Sequence, residues 1–447
     1  MRNKHAGRKE YNGYSIPNKR NLIRKGILLL AIIFPVGITA VLLFHWPSII
    51  HANHVDSESK VVDEQNCNES EAQLRQKEEG YNLTVDEEKK DNIEKETTQY
   101  MNLLGDLVQN LTGIDYKGSY GNEGSLSEEQ LKNLLSSFKK EQHPVYVKGM
   151  TINMENAKEA ENFLNQSANG EEGNVVIYEL HKNIGLSRKE FIYDGKDMYL
   201  LATDAVWGDS DHPIYLNTTY TRMKQWSYTP KGWFCYDLCV PDGSQVTEVV
   251  EGKSMIRIKP QRQDYLDFAE KYLMPIKYQG NNLFTTNWDA SHLEAIDYTG
   301  MYDAAYELIN QTPFQIDAKA VRIPEQEFEN TVMQILPVTR EQLKSYAMYD
   351  SSDHCYQWKA LGCGNYFPTS FGNTIPEITN IEEQADGTEI VTVDAVCERS
   401  AEDAIITHKL TVRMDENGNI HFLKNVVQGD GLSRVPYYYY RTVSMEQ

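Results

Sequence analysis

Apolar residues in the first half of the chain recur at helical spacing and then give way to strand-like runs. The clearest helix has its apolar positions at i, i+3, i+4 and i+7, namely Leu131, Leu134, Leu135 and Phe138. Ser127 and Gln130 form a capping box at its start. The same spacing predicts helices over 101–111 and 155–166. Strands are predicted over 174–180, 189–193, 197–203, 214–226 and 232–240.

The second half repeats this order of helices followed by strands. One helix is predicted over 262–273, and another from Pro324 to the residue before Pro337. Two more are predicted to begin at the capping boxes Ser291–Glu294 and Thr339–Gln342. Strands are predicted over 246–259, 355–359, 389–397, 404–414 and 419–427. The pattern predicts an α+β fold with two cone-like domains, 96–245 and 246–447, each with helices packed on an antiparallel sheet.

The most apolar stretch of the chain is Gly26–Trp46, in which only His45 is ionisable. Its 21 residues are enough to cross roughly 30 Å of hydrocarbon as a helix. Residues 1–25 carry eight Lys/Arg against one acid, and the positive-inside rule places such a tail in the cytoplasm. We therefore expect a single-pass transmembrane helix with the rest of the chain extracellular. The alternative is a cleaved signal peptide, although the stretch is long for one.

Charge is distributed very unevenly along the chain. The total is −21, but the residues after 25 hold 36 basic and 64 acidic side chains, a net −28. Residues 47–95 are polar and acidic and are predicted to form a flexible stalk. A polyanionic ectodomain repels the phosphates of nucleic acid, which excludes that class of partner. The membrane, through the single span, and an envelope protein or polysaccharide are the partners that we expect.

All six cysteines follow the apolar stretch. Cys363 precedes an aromatic run and Cys397 ends a strand-like run, so a disulfide between them would staple one sheet. Cys235 and Cys239 can be bridged only if the chain turns between them, because a straight strand holds them roughly 13 Å apart. Their spacing is not the C-x-x-C of zinc sites, and structural thiols or disulfides are favoured over a metal.

A cluster of aromatic residues is the most suggestive candidate for a ligand surface, comprising Trp207, Trp226, Tyr228 and Trp233. Exposed on a sheet, such side chains stack on sugars or grip a peptide. The simpler interpretation is that they fill the space between sheet and helices. The run Tyr437–Tyr440 is predicted to form a last strand or to dock on a partner.

No catalytic, cofactor-binding or metal-ligating residue is assigned. The chain contains no G-x-S-x-G, H-E-x-x-H, G-x-x-x-x-G-K-[ST] or G-x-G-x-x-G motif, and no cofactor is expected. Two acid-and-histidine runs, 209–212 and 350–354, hold ligands that suit a cation but are more typical of polar surface turns. The run 415–419 begins like a calcium loop, yet a hairpin tip is the expected structure.

Four segments of the last 125 residues form a recognisable pattern: the stretch from Ile323 to Asp350, GCGNYFPT at 362–369, QADGTEIVTVDAVC at 384–397 and THKLTVRMDENGNIHFLKNVV at 407–427. Together they resemble an uncharacterised family of anchored or lipoprotein-type extracytoplasmic proteins of Gram-positive bacteria. The resemblance implies location and fold but no activity and no site residue.

Three functions are therefore compared. A membrane-anchored, non-catalytic binding or assembly module of the cell envelope requires an apolar or aromatic cleft without converging, perturbed carboxylates. The alternative, an extracytoplasmic hydrolase acting on wall polymer or peptide, requires two carboxylates or a nucleophile and a base inside one cleft. A sensor requires a partner helix in the membrane, since the cytoplasmic tail is too short for an output domain. Whether the chain is an enzyme is open, and the first function is favoured.

Overall fold

The computed structural model describes residues 78–112, 126–207, 212–241, 252–315, 320–361, 371 and 373–441. Within these ranges the fold is α+β with several antiparallel sheets, as the sequence predicts. The predicted tail 1–25, the span 26–46 and residues 47–77 of the predicted stalk lie outside them. In the part of the chain that is described, no helix is both long enough and apolar enough to cross a bilayer.

The larger sheet has seven strands, which lie side by side in chain order. They are β1 (Val145–Val147), β2 (Gly173–Leu180), β3 (Gly185–Tyr193), β4 (Met198–Trp207), β5 (Pro213–Tyr228), β6 (Trp233–Leu238) and β7 (Lys253–Arg257). β1 pairs parallel with β2, and the other neighbours are antiparallel. β7 lies after residue 245, where the sequence predicts the second domain to begin, but it completes the first sheet.

Three helices cover this sheet: α1 (Glu87–Thr112), α2 (Glu128–Ser137) and α3 (Ala157–Ala168). Successive side chains of a strand point to opposite faces. Tyr178 accordingly packs against α1 and α2, while Ile177 packs with α3 and with the strands at the far end of the sheet. Since both faces are covered, β2 is an almost continuous apolar run. α1 begins inside the segment predicted as stalk because Ile93 already starts its buried face.

The remaining described residues form one large core with two further sheets. The helices are α4 (Gln263–Phe268), α5 (Tyr298–Asn310), α6 (Glu325–Met333), α7 (Arg340–Tyr346) and the short α8 (Gly431–Arg434). A three-stranded sheet orders β8 (Ala320–Pro324), β10 (Cys355–Lys359) and β9 (Tyr349–Asp350). A four-stranded meander consists of β11 (Ile375–Glu383), β12 (Glu389–Val396), β13 (Thr407–Met414) and β14 (Ile420–Val427).

The predicted capping boxes have different outcomes. Those that begin at Ser127 and Thr339 are present, with both reciprocal hydrogen bonds. The one predicted at Ser291–Glu294 is wrong, because only a short 3₁₀ turn, Leu293–Ala295, follows it. The helix begins later, where the Asp297 carboxylate accepts a hydrogen bond from the Gly300 amide and satisfies one of the free donors of the first turn.

Candidate functional site

A β-bulge interrupts the pairing of β13 with β14. Thr411 pairs with Lys424 and Val412 with Phe422, so Leu423 has no partner on β13. Phe422 points into the core, and its amide donates to the Ile335 carbonyl at 2.8 Å. Bulges redirect side chains and are frequent beside functional sites. Here the bulge helps to turn Leu423 toward an open cavity.

The cavity has a volume of about 310 Å³, at the lower end of the range for ligand pockets. Four of its residues are apolar and come from the end of α6, the loop after it and the bulge: Met333, Leu336, Pro337 and Leu423. Three polar residues come from the hairpin of β13 and β14: Arg413, Asp415 and His421. The cavity therefore joins an apolar wall to a polar edge that holds one arginine, one aspartate and one histidine.

Asp415, the acidic residue of the cavity, is occupied by its own turn. Its carboxylate accepts hydrogen bonds from the backbone amides of Asn417 and Asn419 and from the Asn419 side chain, each at 2.8 Å. The bonds from Asn419 are the main reason why the pKa of Asp415 is lowered. The run 415–419 is thus the hairpin tip that the sequence predicts. An ionised carboxylate anchored in this way is a poor proton donor.

Arg413 is the cation of the cavity and lies directly across the hairpin from His421. Its side chain is exposed, and no hydrogen bond or ion pair to it is found among the described residues. Hydrogen bonds from Thr388 and the charge of Arg413 lower the pKa of Asp386. Because no hydrogen bond engages Arg413 within the described residues, its donors stay available. The planar guanidinium presents them in a geometry that suits a carboxylate. The arrangement can hold an apolar group that carries an acid.

The four residues of the predicted aromatic ligand surface lie in different parts of the structure. Trp207 is only 3% exposed and belongs to the core beneath α1 and α2. Trp233 lies at the other end of the sheet, where its indole donates to Glu377 at 2.7 Å. These two side chains are therefore not on a common surface.

The other two predicted aromatic residues are neighbours on β5. Trp226 and Tyr228 are partly buried against the core that includes α3. The Tyr228 hydroxyl lies 3.4 Å from a carboxylate oxygen of Glu161, to which it donates. They lie on one face of the strand, and ligand binding by them stays a prediction.

Cysteine placement leaves the predicted disulfide untested. Cys397 is buried after β12, while Cys363 lies outside the described residues. Cys235 and Cys239 are both buried thiols, so the bridge between them is not formed in the structure. Burial raises the pKa of Cys235 to about 12, which makes it a poor nucleophile.

The acid-and-histidine run at 350–354 forms a turn whose acids pair with Arg322. Asp350 lies 3.4 Å from this guanidinium, and Asp353 also contacts it. His354 turns toward Glu325 instead, at 3.2 Å. In the other run, residues 209–211 lie outside the described part of the chain. No metal-holding group of three or more His, Cys, Asp or Glu residues is found where the chain is described.

One polar cluster that sequence reasoning missed lies across β2, β3 and β4. The Ser187 hydroxyl donates to Asp204 and lies 2.8 Å from Nε2 of His181. In a catalytic triad the acid orients the imidazole, whereas here it holds the serine, which is only 2% exposed. The signal that could have found the cluster is strand register, since Ser187 pairs with Asp204 across β3 and β4.

A buried ion pair continues the same cluster. The Lys189 ammonium donates to Glu179 at 2.6 Å. Burial alone would raise the pKa of Glu179, but Lys189, Lys148 and His181 lower it to about 2. Burial lowers the pKa of His181, so this imidazole is mostly neutral near pH 7. The groups satisfy one another, as a structural network does.

Comparison with family models gives one match. Residues 90–441 match the model described as "Family of unknown function (DUF6070)". No curated protein matches the chain, and no solved structure matches it.

Proposed function

Because the chain belongs to the DUF6070 family of unknown function, we propose a role from its own geometry: a non-catalytic binding or assembly module of the cell envelope. In this proposal Gly26–Trp46 anchors the chain in the membrane with residues 1–25 in the cytoplasm. Residues 47–77 provide reach as a stalk, because Leu83 already pairs with Tyr220 of β5 and α1 packs on the first sheet. The two α+β domains, predicted as 96–245 and 246–447 but with all of α1 and β7 belonging to the first, are extracellular and present the binding surface.

The cavity beside the bulge carries this proposal. It combines an apolar wall with the Arg413 guanidinium, while Asp415 is held by its own turn. Such a site can bind and orient a ligand, and its one carboxylate, Asp415, is engaged by Asn417 and Asn419, whereas a hydrolase needs a free acid or base. The alternative, a hydrolase, gains no support from the Ser187 cluster, whose serine is buried and already donates to a carboxylate.

The size and charge of the cavity favour an envelope protein over a polysaccharide as its partner. A volume of about 310 Å³ suits one or two apolar side chains better than a chain of sugars. The exposed guanidinium adds a preference for a carboxylate, either a chain terminus or an acidic side chain. We therefore expect a leucine-like side chain in the cavity and its neighbouring carboxylate on Arg413.

Titration of the full-length protein in detergent with N-acetyl-leucine tests this binding site. The acid is expected to bind saturably and weakly, with a Kd of roughly 1 mM. N-acetyl-leucinamide, which lacks the charge, is expected to bind about tenfold less tightly. Arg413→Gln should remove this difference, whereas the control Lys424→Gln, an exposed change on the same hairpin, should keep it. Equal binding of acid and amide by the unmodified protein would contradict the proposal.

Protease treatment of intact cells tests the location. Residues 96–447 should be degraded from outside, while an epitope placed before residue 26 stays protected until the membrane is opened. Removal of residues 26–46 should release the protein from the membrane fraction. Recovery of the unmodified full-length chain in the soluble fraction would refute the anchor.

A further inference from the structure

The C-terminal segment 435–441 is held against the second half of the fold by side chains. Tyr438 and Arg441 point inward, and the Arg441 side chain is only 3% exposed. Tyr437, Tyr439 and Tyr440 are 80%, 50% and 50% exposed. The segment therefore has two inward anchors, three residues apart, and an outward aromatic face.

The guanidinium of Arg441 fits into a closely matched set of acceptors, which we call the arginine socket. Its Nε donates to the Gly280 carbonyl at 2.9 Å and its Nη1 to the Asp303 carboxylate at 2.9 Å. Nη1 also reaches the Lys359 carbonyl at 3.4 Å, and Nη2 the Gly300 carbonyl at 3.3 Å. Acceptors on several sides of the planar group recognise its fork and not only its charge.

The second anchor, Tyr438, donates a hydrogen bond to the carboxylate that caps the start of α5. One oxygen of Asp297 accepts from the Gly300 amide at 3.0 Å. The other accepts from the Tyr438 hydroxyl at 2.7 Å and from the Arg441 amide at 3.0 Å. Because a single carboxylate caps the start of α5 and holds both anchors, the socket is assembled by the fold itself.

Two glycines make room for the anchors. Gly280 has φ +83°, and a Cβ there would lie 2.6 Å from Nη2 of Arg441. A Cβ at Gly300 would lie 2.6 Å from the Tyr438 hydroxyl. Alanine at either position would therefore occupy space that the segment needs. The shape of the socket is specific to what fills it.

The charge of the socket also requires a cation. Asp303 pairs with the guanidinium through Oδ2, and its Oδ1 is shielded from solvent with no hydrogen-bond partner among the described residues. Burial raises the pKa of Asp303 although Arg441 opposes the shift. Without Arg441 the partly buried carboxyl group of Asp303 would have no positive partner, which is unfavourable.

We propose that the arginine socket is a recognition site for a Tyr-x-x-Arg segment, filled internally by residues 438–441 and open to the same segment of a second copy when its own is displaced. The ligand class is a peptide whose tyrosine hydroxyl and guanidinium are three residues apart. This site is separate from the cavity beside the bulge and does not depend on the binding proposed there.

Peptide binding to the full-length protein in detergent tests this proposal. The probe is a fluorescently labelled peptide of residues 435–441, VPYYYYR, followed by anisotropy. Arg441→Ala should bind it at least about 100-fold more tightly than the unmodified protein, whose socket is occupied. The control Arg434→Ala changes an exposed arginine at the end of α8, directly before the segment, that pairs with Glu402, and it should behave like the unmodified protein.

Substitutions in the peptide test which of its side chains the socket requires for binding. A lysine in place of the arginine, or a phenylalanine in place of the tyrosine that matches Tyr438, should each weaken binding to Arg441→Ala by roughly tenfold. If Arg441→Ala does not fold, Tyr438→Phe takes its place and should bind the peptide about tenfold more tightly than the unmodified protein. Equal binding by the variant and the unmodified protein, or by all the peptides, would overturn the proposal.

Discussion

At the scale of single residues, His408 is a fully buried imidazole with both nitrogens engaged. Its Nδ1 lies 2.8 Å from the amide oxygen of Asn425, and its Nε2 lies 2.9 Å from the Tyr278 hydroxyl. The Asn425 amide nitrogen donates elsewhere, to the Thr286 carbonyl. Nδ1 therefore carries the proton, and Nε2 accepts from Tyr278. Burial is the main reason why the pKa of His408 falls from 6.5 to about 4.

This residue predicts a specific loss of stability in acid. A histidine with a lower pKa in the folded state stabilises fully above its unfolded pKa of 6.5, and this contribution declines as the pH falls toward about 4. Between pH 7 and pH 5 it should remove about 2 kcal/mol from the free energy of unfolding. Urea unfolding at several pH values should show that the free energy of unfolding of His408→Gln falls by about 2 kcal/mol less than that of the unmodified protein between pH 7 and pH 5.

The exposed His292 offers the control for that experiment. His292→Gln should keep the pH dependence of the unmodified protein, because its side chain is 67% exposed. Parallel pH profiles for His408→Gln and the unmodified protein would contradict the assignment of the decline to His408.

At the scale of elements, reciprocal caps decide where two helices begin. At the start of α7, the Thr339 hydroxyl accepts from the Gln342 amide at 3.2 Å, and the Gln342 side chain accepts from the Thr339 amide at 2.9 Å. Ser127 and Gln130 make the same pair of bonds at α2. The first turn of a helix has amides without internal partners, and these bonds satisfy two donors at its start.

Removal of one cap should have a measurable cost. Thr339→Ala is expected to lower the free energy of unfolding by about 1 kcal/mol. Thr331→Ala is the control, because the Thr331 hydroxyl donates to a carbonyl within α6 and alanine is a better helix former. The control should change the free energy by less than about 0.5 kcal/mol. Urea unfolding that shows equal effects would argue against the cap.

At the scale of the whole molecule, a buried carboxylate links the seven-stranded sheet to the four-stranded meander. Glu377 on β11 accepts from the Trp233 indole at 2.7 Å and from the Arg257 guanidinium at 2.5 Å. Nearby, the Lys231 ammonium donates to Asp394 on β12 at 2.8 Å. These bonds couple strands from the two halves of the described chain, which also share a small apolar cluster at this junction.

Loss of this carboxylate should weaken the coupling between the two sheets. Glu377→Ala leaves Arg257 and Trp233 without their partner and is expected to cost about 3 kcal/mol. Calorimetry should then show unfolding in two steps, because the sheets retain separate cores. Glu383→Ala, an exposed change on the same strand, should leave the profile unchanged. A single transition at an unaltered temperature in Glu377→Ala would contradict this role.

Local patterns in the sequence determined much of the secondary structure. Helical spacing located the buried face of α2, and the run 415–419 is predicted as a hairpin tip, where Gly418 has a positive φ. The predicted α+β class is confirmed, and the family match shows an uncharacterised domain over residues 90–441. These features depend on residues a few positions apart, so one stretch of sequence contains the necessary information.

Only the tertiary structure decided which distant residues meet. The bulge that turns Leu423 toward the cavity depends on the register of two strands, and one residue of slip moves a side chain to the other face. Arg441 reaches Asp303 across more than a hundred residues, and Trp233 reaches Glu377 in the same way. Such contacts depend on how whole elements pack together, and no local pattern of apolar and polar positions encodes that packing.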